Sequence, residues 1–321
     1  MLLGVPGGMP PAAWRARAWP SAGRRPEKDA KRHRGEIAMI SFRAEDGFEL
    51  RGHLYGDAAT AKAGLLIAPA MGVEQRYYAA FARWMAAQGW LVLSFDYRGM
   101  GASRPDAMKR SLRGLEADIH TWAERDAAAA LSHLDRLLGD RREIHWLGHS
   151  LGGQILGMLP NRSRVSRAVT VGCGSGYWRE NSIGLRRYVW WLWYVVVPLT
   201  LPAFGYFPGR KLRKVGDLPR GVMAQWRRWC LDREYMMGEG GDALRAQYAS
   251  LSMPMLSLAF TDDEFMSRRN TESLHGFYAG AHPEMRRIAP KDIGERRIGH
   301  FGFFRDRFER SLWPQVSAWL A

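Results

Sequence analysis

The 321 residues carry 47 Lys and Arg against 32 Asp and Glu, a net charge of +15, with 14 tryptophans and only two cysteines. That length buries a substantial core and suits one large domain, or one domain carrying an insertion. Cys173 and Cys230 allow at most one bridge and match no metal-ligand spacing, which excludes a disulfide scaffold and a zinc module and sets a reduced, cytoplasmic location as the expectation.

The first 35 residues, "MLLGVPGGMPPAAWRARAWPSAGRRPEKDAKRHRG", are rich in Gly, Pro, Ala and Arg and show no apolar period. They read as a disordered basic tail, or as leader upstream of a true start near Met39, and they lack the continuous apolar core of a secretory signal. This segment alone supplies +6 of the net charge. The remaining basic charge could draw in anionic substrates or lipid surfaces. No basic helix with interleaved aromatics is present, so a nucleic-acid partner is not expected.

From Glu36 the texture changes. "EIAMISFRAEDGFELRGHLYG" is two strand-like runs around Asp46-Gly47, a strong hairpin signal. "GLLIAPAMG" is a short buried strand running into a loop, "YYAAFARWMAAQG" an amphipathic helix stopped by Gly89, and "WLVLSFDYRGMG" a second buried strand. A helix over about Leu115 to Leu138 follows, then the strand "EIHWLG", a helix opened by "LGGQILGML", and the strand "SRAVTVGCG". Strands alternating with helices at this spacing predict an α/β fold with a mostly parallel sheet flanked by helices.

Near Gly176 the alternation breaks. Up to about Ser250 the text is irregular and loaded with Trp, Tyr, Pro and Arg. It then resumes with "MPMLSLAFTDDEF", a helix, "MRRIA" and a final helix from about Phe304. Residues 36–175 and 251–321 therefore read as the core, and 176–250 as an inserted aromatic-rich cap. Within it, Tyr188 to Phe207 is uncharged and nearly long enough to cross a bilayer, but Pro198 and Pro202 interrupt it. It reads first as buried or pocket-lining cap, next as a lid in transient contact with a membrane, and last as a transmembrane helix. Tyr177, Trp178, Trp190, Trp191, Trp193, Trp226 and Trp229 either build an apolar acyl pocket or form the cap's own core.

Gly148-His149-Ser150-Leu151-Gly152 fits G-x-S-x-G between a strand and a small-residue helix. A sharp turn there leaves no room for neighbouring side chains and holds Ser150 at the top of the sheet as a nucleophile, with the Leu151 N–H facing a developing oxyanion. The serine needs a base. His149 is too close along the turn and reads as a spacer, while His300, in the glycine-flanked loop "RRIGHFGFFR", emerges at the same sheet edge. The orienting acid is expected in "LSLAFTDDEFMS", which offers Asp262, Asp263 and Glu264; Asp263 is preferred to Asp262, and the other aspartate is free to cap the next helix. "DYRGMG" lacks the lysine of a phosphate loop and reads as a structural turn, with Arg98 in a salt bridge.

The order Ser…Asp…His, the "GHSLG" elbow, "DYRGMGAS" and "GHFGFF" resemble the α/β-hydrolase fold from about Ile37 to the end. The phrases "GYFPGRKL" and "QWRRWC" are similar to a bacterial group of predicted hydrolases of unassigned substrate. The resemblance implies a triad of Ser150, Asp263 and His300 and no substrate. Many relatives have His-Gly after the third strand, where this chain has Pro69-Ala70. The second oxyanion N–H is therefore assigned to Met71, with Ala70 the alternative. The expectation is a serine hydrolase acting on a small-molecule ester or thioester with a hydrophobic portion, needing no metal or organic cofactor. An acyltransferase on the same triad, or a non-catalytic binding protein, is the alternative, and the oligomeric state is left open.

Overall fold

The computed structural model describes residues 37–139, 142–212 and 215–321; the tail expected over residues 1–35 lies outside them. Strands β1 (Ile37–Arg43) and β2 (Glu49–Tyr55) form the hairpin, paired from Ile37 opposite Tyr55 to Arg43 opposite Glu49, with Gly47 at φ +82° in the turn. The strands β3 (Ala63–Ala68), β4 (Trp90–Phe95), β5 (Ile144–His149), β6 (Val165–Val171), β7 (Met255–Phe260) and β8 (Glu284–Ile288) complete an eight-stranded sheet. Its order is β1-β2-β4-β3-β5-β6-β7-β8, and every pairing from β4 onward is parallel.

Four of these strands, β3, β4, β5 and β7, are buried along their whole length, which is why they read as apolar runs and not as alternating ones. On one face Leu65, Ile67 and Leu147 pack against Phe81 and Met85 of α1 (Ala79–Ala87) and Trp313 of α9 (Trp313–Leu320). On the other, Leu66 and Trp146 pack against Leu131 and Leu134 of α2 (Ala128–Leu138).

Three helices differ from expectation. The one leading into α2 begins at Ile119, not Leu115, because Asp118 accepts from the Thr121 N–H at 2.7 Å and fixes the entry; Thr121–Ala127 is a π turn. The helix after Ser150 is a single turn, α3 (Leu151–Gln154), followed by a 3-10 turn over Leu156–Met158. Gly152, Gly153 and Gly157 give it little helix propensity, and Pro160 closes it. The C-terminal helix starts at Trp313, with Pro314 in its first turn, and not at Phe304, which is drawn into an aromatic cluster with Phe81 and Phe303.

Between β6 and β7 the chain forms α4 (Ile183–Trp191), a π turn (Leu192–Val196), α5 (Val197–Phe204), a two-strand ribbon of Tyr206–Phe207 with Leu218–Pro219, α6 (Arg220–Leu231) and α7 (Met236–Ala249). The irregular text thus hides an unbroken helical run over residues 183–204. Its buried side chains recur every four residues at Leu185, Val189, Trp193, Val197 and Leu201. From Trp190 onward the outward residues are apolar as well, so no amphipathic contrast marks that part of the helix. No helix among the described residues is long and apolar enough to cross a membrane.

Candidate active site

β5 delivers Ser150 to a turn at φ 51°, ψ −110°, a conformation that side-chain-bearing residues rarely adopt and that costs about 1–3 kcal/mol. The flanking glycines allow the chain to close. A Cβ on Gly148 would lie 2.4 Å from the Gly152 carbonyl carbon, and one on Gly152 2.1 Å from the Ala68 carbonyl oxygen. The Ser150 N–H donates to the Val171 carbonyl at 3.0 Å, tying the elbow to the end of β6. Behind it Cys173 is buried, with its thiol pushed up to about 12 by desolvation, so it stays a neutral packing group.

The loop after β7 and the loop after β8 meet at this same sheet edge. Asp263 Oδ2 lies 2.8 Å from His300 Nδ1, and both side chains are almost wholly buried. The pair stands over the end of β6, where a Cβ on Gly172 would be 3.3 Å from His300 Nδ1. Asp263 Oδ1 accepts from the N–H groups of Phe265 and Met266 at 2.8 and 2.9 Å, which fixes the carboxylate plane. Asp262 instead accepts from the Ile298 and Gly299 N–H groups at 2.9 and 3.1 Å, and Glu264 from the His300 N–H at 3.1 Å. All three acids therefore serve the His300 loop, each on a different atom.

Burial is the largest single influence on His300 and disfavours its charged form. The charge and hydrogen bond of Asp263, with the charge of Glu264, outweigh it and hold the imidazole above the ordinary histidine value. His149 shows the reverse: burial, then the neighbouring His300, hold it well below that value, so it is neutral. Its Nδ1 lies 3.0 Å from the Tyr78 hydroxyl and its Nε2 3.1 Å from the His300 carbonyl.

After β3, the Ala70 N–H donates to the Tyr78 hydroxyl at 2.8 Å, whereas the Met71 N–H has no protein acceptor among the described residues. Met71, Ser150 and Leu151 line one narrow cavity, with about 90 Å³ of room for the centre of a water-sized group. Its far wall is apolar, from Leu185, Val189, Trp193, Met223 and Trp226. The Ser150 hydroxyl makes no hydrogen bond to His300 in this arrangement, a contact that in such sites tightens when substrate is bound.

A mostly parallel eight-stranded sheet flanked by helices is matched among solved structures. The carboxyl esterase of Bacillus coagulans superposes with a TM-score of 0.61 at 13% identity, over 88% of this chain and 97% of that one. DcsB, solved with its substrate analogue, gives 0.58 at 13% over 88% and 98%, and the esterase domain from Rhodothermus marinus 0.53 at 16% over 88% and 97%. The family model described as serine aminopeptidase, S33, matches residues 59–205. No curated protein matches its sequence.

The chain has the α/β-hydrolase fold.

In this α/β-hydrolase-fold chain several sequence expectations need correction. Neither Asp262 nor Asp263 caps the helix that follows: α8 (Arg268–His275) is capped by Ser267, whose hydroxyl accepts from the Asn270 N–H. His149 is no mere spacer, since both ring nitrogens are engaged in the site. Trp190 and Trp191 belong neither to a pocket nor to a core; they are exposed. Trp193 and Trp226 line the cavity, and Trp229 is buried. Arg98 bridges the buried Asp126 at 2.7 Å and Asp46 at 2.6 Å, and so pins the "DYRGMG" turn. Sequence reasoning did not find Tyr78, and it named Glu264 only as a candidate acid, not as the acceptor of the His300 N–H. The paired tyrosines Tyr77-Tyr78 at the start of α1 were the available signal, two polar tips aimed from one helix end toward the sheet edge.

Proposed function

We propose that this α/β-hydrolase is a serine esterase or thioesterase for small molecules with a hydrophobic acyl or alkyl portion, working with Ser150 as nucleophile, His300 as general base and Asp263 as orienting acid. The observation that carries the reading is the buried Asp263–His300 pair, 2.8 Å apart, at the edge where Ser150 is held in a strained turn. His300 Nε2 takes the proton as Ser150 Oγ attacks the carbonyl, and Asp263 stabilises the imidazolium so formed. The N–H groups of Leu151 and Met71 receive the oxyanion. The leaving group departs with the proton from His300, and water repeats the sequence on the acyl-enzyme.

The apolar wall supports a hydrophobic substrate portion. The family description of an aminopeptidase is less well supported here. A free ammonium group calls for a carboxylate partner, and none of the cavity-lining side chains among the described residues is acidic. The segment between β6 and β7 is read as a cap. It spans residues 176–250, and Tyr248 of α7 ties its end back to the Gln154 carbonyl.

The test is a fluorophosphonate probe on the purified protein, beside a panel of p-nitrophenyl esters and acyl thioesters. Labelling and turnover are expected for the parent chain, and both are lost in Ser150→Ala. Labelling that persists in that variant refutes the nucleophile assignment.

A further inference from the structure

The helical run over residues 183–204 turns one face to the catalytic cavity, through Leu185, Val189 and Trp193. Its other face is open to solvent, and from Trp190 to Phe204 every exposed residue is apolar or aromatic. Trp191 is 58% exposed and Leu199 66%, and Trp190, Tyr194 and Phe204 are exposed with them. The Trp190 ring packs 5.5 Å from both Trp191 and Tyr194, so the aromatic part is one continuous patch. Over 15 residues the stripe is about 20 Å long. A soluble helix gains nothing from such a face unless something apolar meets it.

Cations bracket the patch. Arg186 and Arg187 are exposed at its amino end, where Arg179 also stacks on Trp178 at 5.3 Å. At its carboxyl end Lys211 lies 5.6 Å from the Phe204 ring, and Arg113 donates to the Ala203 carbonyl at 3.0 Å. Residues 183–205 contain no acid, and the whole chain is at +15. Tryptophan and tyrosine with basic residues at both ends suit the boundary between lipid headgroups and acyl chains, where an amphipathic ring is half immersed and a cation meets phosphate. A second copy of this chain would set these same cations against one another.

We propose that the outward face of residues 183–204 is a docking surface for an anionic lipid bilayer, lying flat on it with the catalytic cavity one helix diameter, about 10 Å, behind. The bilayer would then sit next to the wall of the apolar cavity. This goes beyond the hydrolase reading, and binding does not depend on it.

The full chain and its Ser150→Ala form are mixed with vesicles of phosphatidylcholine alone or with phosphatidylglycerol, and co-sedimentation and tryptophan emission are followed. Both forms are expected to bind the anionic vesicles about ten-fold more tightly than the neutral ones, with a blue shift. The double variant Trp191→Ser, Leu199→Ser keeps every charge and is expected to lose binding by about ten-fold or more, with unchanged Tm. Arg186→Gln, Arg187→Gln should weaken binding to anionic vesicles only. The proposal is overturned if the serine double variant binds as well as the parent, which would place binding on charges elsewhere. It is equally overturned if light scattering shows a dimer that the double variant dissociates.

Discussion

Replacing Asp263 by Asn keeps the shape of the Asp263–His300 contact and removes its charge. With charge centres about 4 Å apart and an effective dielectric of about 20, carboxylate and imidazolium attract by about 4 kcal/mol. That stabilisation acts only once His300 has taken the serine proton, so its loss falls on the transition state, about 10³-fold in kcat. An asparagine amide presenting N–H to Nδ1 also selects the wrong tautomer, which extends the loss toward about 10⁴-fold. The pH profile supplies a second readout. In the proposed mechanism activity needs neutral His300, whose pKa is held above the ordinary histidine value by Asp263 and Glu264 against burial. The acid limb of kcat/KM for the parent therefore lies above about 6.5. Without Asp263 the balance tips toward burial, and the limb moves to lower pH. The assay is a pH series of ester hydrolysis on both proteins, with Tm measured beside it. A loss under ten-fold with an unmoved limb refutes the reasoning.

Asp262→Asn offers an amide to N–H groups that need an acceptor, so it costs about 1–3 kcal/mol in Tm-derived stability, while kcat falls far less than in Asp263→Asn. Trp193→Ala opens the cavity wall: the optimum of a p-nitrophenyl acyl series shifts to longer or branched chains, and stability drops by about 3–5 kcal/mol. Arg98→Met strands Asp126, whose side chain is fully buried, and costs about 3–5 kcal/mol at pH 7 by denaturant titration. Burial, the larger influence, already raises the Asp126 carboxyl to about 6, so this loss shrinks as pH falls and Asp126 takes up a proton.

The parallel sheet was legible because strands buried on both faces leave continuous apolar runs, and Leu65 to Ala68 or Trp90 to Leu93 admit few other readings. The elbow was legible for a steric reason: only glycine fits where a Cβ on Gly152 would lie 2.1 Å from the Ala68 carbonyl oxygen. The choice among Asp262, Asp263 and Glu264 turns on which way successive side chains leave a loop. Letters do not carry that direction, so the sequence pointed to the loop and only preferred Asp263 within it. The helix over 183–204 was illegible because periodicity detects contrast between faces, and from Trp190 onward both are apolar. The Trp190–Trp191 pair looked like pocket or core for the same reason: hydrophobic composition does not say which side faces out.

The role of His149 follows from counting protons. Held neutral by burial, its ring has one donor and one acceptor. The His300 carbonyl can only accept, so the proton sits on Nε2, 3.1 Å from it, and Nδ1 accepts from the Tyr78 hydroxyl at 3.0 Å. That hydroxyl, having donated, accepts from the Ala70 N–H at 2.8 Å. Every bond from Ala70 through Tyr78 and His149 to His300 is thereby fixed in direction. A charged His149 would present a second donor to Tyr78 and turn its hydroxyl away, so the burial that keeps the ring neutral also keeps the chain of bonds intact. The Ala70 N–H is used up in this chain, so in the proposed mechanism Met71, the next residue, is the one left to face an oxyanion. One buried ring beside Ser150 thus holds the loop of Ala70 and the loop of His300 in register with the elbow between them.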